Sequence, residues 1–290
     1  MRLISFATGT STSWGVLSGR QVRDLGALAS PGAQSLGSAL RASEFASLVA
    51  RSDSAPAHNL ADVELLPPVT DAGKIICVGL NYADHIAEMN RPTPEWPVVF
   101  TRFADTLVGP GKPLVAPFAS EQFDYEGEFC VVIGRGGRRI SATNALDHVL
   151  GYTIMNDGSV RDYQRHTHQF TPGKNFPQSG SLGPEIVTAD EFGPVAAQRI
   201  VTRVNGVPVQ SSTLDQLVFG VGDLVAYCSE WTELAPGDII ATGTPGGVGD
   251  GHDPKLWLRP GDTLEIEVEG IGTLTNPVVG EASGATSPRA

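Results

Sequence analysis

Apolar residues in this chain gather into short runs cut by glycine, proline and small polar residues, the pattern of many short strands joined by turns. At the N-terminus, MRLISFAT and WGVLSGRQVRDLG read as two or three short strands turning at Ser18-Gly19. The period then changes. SLGSALRASEFASLVARS carries Leu36, Leu40, Phe45 and Leu48 at mostly three-to-five spacing and predicts a short amphipathic helix. SDSAPAHNLADVELLPPVT is rich in Pro, Ser and Ala and reads as a linker, with His58 solvated in it. Residues 1–70 are therefore expected to form a small N-terminal domain and linker ahead of a larger domain over 71–280.

In the larger unit KIICVGLNY is a buried strand, and YADHIAEMN a short helix, capped by Asn81 or Asp84, that sets His85 and Glu88 on one face. PVVFTRF is a short strand carrying Arg102. FDYEGEFCVVIG is a strand that runs into a core, as Phe129, Val131, Val132 and Ile133 indicate. A short helix near Ser141 leads to the strand GYTIMND, which ends at Asp157, and Arg161 and Gln164 lie on one face of a helical turn beyond it. IVTRVNGVPVQSST is a hairpin turning at Asn205-Gly206. DQLVFGVGDLVAYCSEW is a helix with Leu217, Val221, Leu224 and Val225 on its apolar face. LAPGDIIATGTPGGVG is a strand ending in a glycine-rich turn, and LRPGDTLEIEVEGIGTLTNPV is a final hairpin. A Gly/Ser/Ala tail over 281–290 is expected to be disordered.

Composition agrees with this pattern. With 34 glycines and 21 prolines in 290 residues, and 18% charged residues, the chain is expected to be a β-rich globular protein of the α+β class. A formal charge of −12 without a basic patch argues against a nucleic-acid or anionic-membrane partner and favours a small molecule. No segment approaches the roughly 20 apolar residues that cross a bilayer, and the N-terminus lacks a signal pattern, so the cytoplasm is the expected compartment. Cys77, Cys130 and Cys228 are scattered in apolar segments and read as buried free thiols.

Candidate chemistry begins at Glu126 and Glu128. Two apart on a strand, their side chains point the same way, with Cβ atoms roughly 7 Å apart. Beside a core, two unpaired carboxylates are costly, which calls for a cation between them. An oxygen-only pair favours Mg²⁺, Mn²⁺ or Ca²⁺ over Zn²⁺. The other solution is an edge strand with its acids in water. Glu265, Glu267 and Glu269 alternate in the same way in the final hairpin, where they are assigned to solvent, so E-x-E alone decides little. Asp157, at the end of its strand, can aim a third carboxylate at the same ion. His85 with Glu88 is either a general-base pair or an exposed helix pair. His166 and His168 lack further ligands at finger spacing and are read as loop residues. The glycine-rich turn matches neither a phosphate loop nor a dinucleotide fingerprint. Its glycines more simply let backbone amides and Thr244 approach a small anion.

Taken in order, NYADHIAEM, FDYEGEFCVVIG, GYTIMNDGSVRDYQ, PGKNF and LAPGDIIATGTPGGVG resemble the fumarylacetoacetate hydrolase family over roughly residues 73–280. The resemblance implies a mixed β-sandwich roll with short helices, usually a homodimer, with the N-terminal unit as the small domain many members carry. It implies one Mg²⁺ or Mn²⁺ bound by Glu126, Glu128 and Asp157, and a small 2-oxo or 2,4-dioxo acid as substrate. By matching position, His85 and Glu88 are a pair on a mobile lid that activates water, and Lys174 stabilises an oxyanion. Arg161, Gln164 and Thr244 likewise match substrate-holding positions. Arg102, a further substrate-binding candidate, stands where many members have a lysine followed by a small residue, but Phe103 follows it here. Gly158 replaces a usual valine, and PGKNF a W-x-x-K-S-F context. The expected reaction is metal-dependent hydrolysis of the C–C bond of an acylpyruvate. An isomerase or hydratase of a 2-hydroxydienoate, a keto–enol isomerase, an oxaloacetate-type decarboxylase and a non-catalytic metal-dependent binding protein are the alternatives.

Overall fold

The computed structural model describes residues 1–88, 90 and 92–282; of the expected C-terminal tail, residues 283–290 lie outside the described residues. The protein is α+β and strand-rich, built on two large sheets with a two-stranded pair, Phe123–Asp124 with Ser159–Val160, beside them. In the larger, mixed, twelve-stranded sheet, Gly127–Ile133 is central, pairing antiparallel with Val149–Asn156 on one side and Ile239–Ala241 on the other. From Val149–Asn156 the order runs through Gly180–Thr188 to Arg2–Thr8 and the meander Ser11–Ser18 and Gln21–Asp24. From Ile239–Ala241 it runs through the parallel strand Ile75–Gly79 to Val98–Thr101. The smaller sheet of five strands holds both predicted hairpins, Arg199–Val204 with Val207–Thr213 and Thr263–Val268 with Gly272–Gly280.

Burial on both faces explains why the central strand reads as an apolar run rather than an alternation. Phe129, Val131 and Ile133 enter a core shared with Ile200, Ile266 and Leu274 of the smaller sheet. Cys130 and Val132 belong to the opposite core, which Trp14, Leu36, Ala39 and Leu48 of the N-terminal segment complete. The turn between the first hairpin's strands has Asn205 and Gly206 at φ 54° and 78°, the left-handed pair that Asn-Gly suits. In Thr263–Val268 only alternate residues are buried, and Glu265 and Glu267 lie on the outer side.

Several expected elements form differently. The single helix over residues 35–52 is two, Leu36–Arg41 and Phe45–Val49, interrupted where Ser43 takes a positive φ of 60°. The stretch read as a linker supplies two short strands, Ala57–Asn59 and Glu64–Leu66, which satisfy the backbone groups of Gln21–Asp24 and Arg2–Thr8. His58 there lies 3.3 Å from Asp24 rather than free in water. The helix expected to carry Leu217 starts only at Val221, after Gly220. Asn81 does not cap the helix Ala83–Glu88. Its amide instead donates to the carbonyls of Phe219 (3.1 Å) and Thr242 (2.8 Å), tying the end of Ile75–Gly79 to the strand that precedes the glycine-rich turn.

Candidate active site

The two central strands place the carboxylates. Gly127 pairs with Asn156 and Glu128 with Met155, and the Asp157 N–H donates to the Glu126 carbonyl at 2.9 Å, so the pairing continues past both strand ends. Glu126, Glu128 and Asp157 are thereby brought together, all buried, each offering one oxygen within 4.8 Å of the others. Gly127 between them is required by the second sheet: a Cβ there would lie 2.2 Å from Thr202 Oγ1 and 3.1 Å from an Ile266 methyl. A larger residue would push the sheets apart and take the glutamates with them.

Three cations surround these acids. Lys174 Nζ donates to Glu126 Oε2 at 2.7 Å and to Asp157 Oδ2 at 2.6 Å, and lies 3.5 Å from the Asp157 carbonyl. Arg161 Nη1 sits 2.7 Å from Glu126 Oε1, and its Nε donates to Asp124 Oδ2 at 2.7 Å. Arg102 Nη1 donates to Asp157 Oδ1 at 2.7 Å and Nη2 to Ser179 Oγ. Four carboxylates, with Asp124, thus face three cations in a buried cluster. The excess charge falls on Glu128, whose Oε2 accepts only the Gly243 N–H among the described residues, at 3.0 Å. Burial and its neighbours Asp157 and Glu126 push its carboxyl well above the ordinary range. At Glu126 burial also opposes ionisation, but Lys174 and Arg161 outweigh it and hold the carboxyl at about 2. Three hard oxygens with one uncompensated charge are a donor set that fits a hard divalent ion.

A cavity of about 410 Å³ opens onto this cluster. His85 lines it from the short helix Ala83–Glu88, with Nδ1 3.2 Å from Glu88 Oε2. Glu88 is itself anchored, its Oε1 accepting the Gly247 N–H at 3.0 Å. Gln164 and Thr244 also line the cavity. Gln164 Oε1 accepts from Arg161 Nη1 at 2.9 Å, which leaves its amide nitrogen for a ligand. The Thr244 hydroxyl donates to the Gly127 carbonyl at 3.0 Å and accepts from Gln210 at 2.8 Å, so only a lone pair remains to it. Arg161 Nη2 is buried with no partner among the described residues, a donor suited to an anion.

Arg102 corrects an expectation. Read as a substrate-binding residue, it is buried behind Asp157 and absent from the cavity wall, because its guanidinium is held by Asp157, the Gly158 carbonyl and Ser179. Of the two loop histidines, His168 lines the cavity, whereas His166 packs against the Tyr163 ring at 4.6 Å. The departure at Gly158 has a steric cause: a Cβ there would lie 1.9 Å from the Ser179 carbonyl oxygen. Sequence reasoning missed Asp124, Arg165, Phe100 and Phe170. Asp124 could have been found by extending the two-residue alternation of Glu128 and Glu126 one step back. Phe100 comes from the strand Val98–Thr101, on the same side as Arg102, and Arg165 follows Arg161 by four residues on the same helical turn, so both were within reach of local spacing; Phe170 carries no periodic signal.

The family model described as fumarylacetoacetate (FAA) hydrolase C-terminal matches residues 74–279. A human protein named oxaloacetate tautomerase FAHD2A, mitochondrial, is 43% identical over 221 residues, covering 76% of this chain and 70% of that one. A solved structure described as 5-carboxymethyl-2-hydroxymuconate delta-isomerase from Mycobacterium smegmatis is 35% identical, with a TM-score of 0.79, covering 97% of this chain and 100% of the other. Another, described as fumarylacetoacetate hydrolase from psychrophilic Exiguobacterium antarcticum, is also 35% identical, with a TM-score of 0.83 and the same coverage. The chain belongs to the fumarylacetoacetate hydrolase family. Members of this family are enzymes, and they generally use a divalent metal. Among the described residues no helix is long and apolar enough to cross a membrane.

Proposed function

We propose that this chain is a divalent-metal-dependent tautomerase that interconverts the keto and enol forms of oxaloacetate or a closely similar 2-oxo diacid. The observation that carries this reading is the state of Lys174. Its short contacts, 2.7 Å to Glu126 Oε2 and 2.6 Å to Asp157 Oδ2, hold the ammonium between two carboxylates, with the Asp157 carbonyl 3.5 Å away, so it is poorly placed to stabilise the oxyanion of a tetrahedral intermediate, which C–C hydrolysis requires. A tautomerase needs no such donor. The 43% identity to a protein named oxaloacetate tautomerase supports the same choice.

Glu126, Glu128 and Asp157 would hold the ion. When bound, it supplies Lewis-acid chemistry that favours the enolate form of a 2-oxo acid. The chain's own residues do the rest. Glu88 engages His85 Nδ1, which leaves Nε2 to take the proton from the substrate's C3 and hand it to the 2-oxygen, completing the enol and restoring the neutral imidazole, with the same transfer run backwards in the other direction. The Glu88 carboxylate holds the ring in place. Arg161 Nη2 and the Gln164 amide orient the substrate's carboxylate. Phe100 and Phe170, packed edge to face at 5.7 Å, form an apolar wall of the cavity that limits water near the carbon being deprotonated.

The test follows the enol absorbance of oxaloacetate with Mg²⁺, with Mn²⁺ and in EDTA. Metal-dependent acceleration of the keto–enol exchange without formation of pyruvate supports the reading; release of CO₂ would make the enzyme a decarboxylase. A second reading, hydrolysis of an acylpyruvate, is favoured by the 3.2 Å His85–Glu88 contact, which would equally activate water. Pyruvate and a matching carboxylic acid from an acylpyruvate panel, with no acceleration of oxaloacetate exchange, would establish it instead.

A further inference from the structure

We propose that Arg165 recognises the remote carboxylate of the substrate and makes the enzyme selective for 2-oxo diacids over their monoanionic counterparts. This rests on the tautomerase reading. The cluster's own cations are committed: Lys174 and Arg102 to the carboxylates, and Arg161 to them through all but Nη2. A substrate whose first carboxylate and 2-oxo group face the cluster still has a second carboxylate to place. Arg165 lines the same cavity from the C-terminal end of the short helix Arg161–Gln164, next to Gln164 and near Thr167 and His168.

Its side chain is 50% exposed, and its one ion pair among the described residues uses a single nitrogen, Nη2, on Asp250. Asp250 is shared with Lys255, whose Nζ lies 3.6 Å away, so it neutralises Arg165 only in part. The remaining N–H groups form the planar fork that matches a carboxylate, in the half-solvated setting where desolvation is modest. Asp250 thereby acts as a holder for the guanidinium: buried to 7% exposure, its backbone N–H is fixed on Asp124 Oδ2 at 3.0 Å.

The experiment compares kcat/KM for oxaloacetate and for its 4-ethyl ester in wild type, R165M, R165K and D250N. Wild type should prefer the diacid, R165M should lose that preference by about tenfold to hundredfold, and R165K should recover part of it. D250N removes the charge but keeps an amide oxygen that can hold the guanidinium, and should retain most of the preference. A wild-type preference in R165M, or its loss in D250N as complete as in R165M, would overturn the proposal, the latter by giving Arg165 a purely structural role. If wild type turns over neither compound, the tautomerase reading fails separately, and calorimetry on the metal-loaded protein decides. R165M should then weaken binding of malate by a similar factor but not that of oxalate, which has no remote carboxylate. Equal effects on both ligands would refute the assignment.

Discussion

Lys174→Met tests the charge balance of the cluster directly. Lys174 is fully buried and bridges Glu126 and Asp157, so its removal leaves four buried carboxylates against Arg102 and Arg161 among the described residues. Breaking a buried ion pair by deleting one partner costs about 3–5 kcal/mol, because the other charge is left uncompensated. For a chain this long the unfolding entropy is roughly 0.6 kcal/mol/K, so the melting temperature in EDTA should fall by about 5–8 °C. Divalent metal should narrow that gap. An ion at a hundred times its Kd stabilises by about 2.7 kcal/mol, and the variant, with one more uncompensated negative charge, should bind it more tightly than wild type at the same concentration. Scanning calorimetry of both proteins at neutral pH, in EDTA and in Mn²⁺, measures the two shifts. An unchanged melting temperature in EDTA, or a gap that Mn²⁺ leaves as wide, would refute the account of Lys174 as the counter-charge of the triad.

Glu126→Ala should abolish tight divalent-ion binding in calorimetry, since it removes one of three clustered oxygens; unchanged affinity would sink the ligand assignment. His85→Ala should keep metal affinity while lowering kcat by about 10²–10⁴, the usual worth of general acid–base catalysis, and a rate within a factor of a few of wild type would remove His85 from the mechanism. At Glu88 partial burial works against ionisation, but the His85 ring and the Gly247 N–H outweigh it and lower the carboxyl below its ordinary 4.5. A depressed acid stabilises its contacts above its unfolded value and loses them as pH falls through the folded one. Protection of the Gly247 amide from hydrogen exchange should therefore drop as pH falls below about 4.5, and Glu88→Gln should flatten the profile; a flat profile in wild type contradicts the anchoring role. Gly158→Val should destabilise by about 1–3 kcal/mol or more in denaturant titration, because its Cβ has no room beside the Ser179 carbonyl, and an unshifted midpoint would argue that the backbone there yields.

Much of the fold could be read locally. Asn205-Gly206 marked its hairpin because only a few residues accept two successive positive φ values, and the alternation around Glu265 and Glu267 correctly sent those acids outward. Misreadings came where a partner distant in sequence overrode local pattern. The supposed linker became strands because Arg2–Thr8 and Gln21–Asp24 offered unpaired backbone groups to it, and Asn81 left its helix to bond Phe219 and Thr242.

The site divides in the same way. Short-range rules determined which residues could share a direction: Glu126 with Glu128 by the period of a strand, His85 with Glu88 and Arg161 with Gln164 by the turn of a helix. Family resemblance added which of these belong to one centre. Only the tertiary structure decided how charge is distributed among them, because that depends on which side chains meet across strands and loops. It placed Arg102 behind Asp157 rather than in the cavity, committed Lys174 to two carboxylates, and left Glu128 as the uncompensated acid. It also turned Arg165, at the end of its short helix, to the cavity wall. Electrostatic balance in a buried cluster is set by distances of a few ångströms between residues remote in sequence, and no periodicity along a chain encodes those distances.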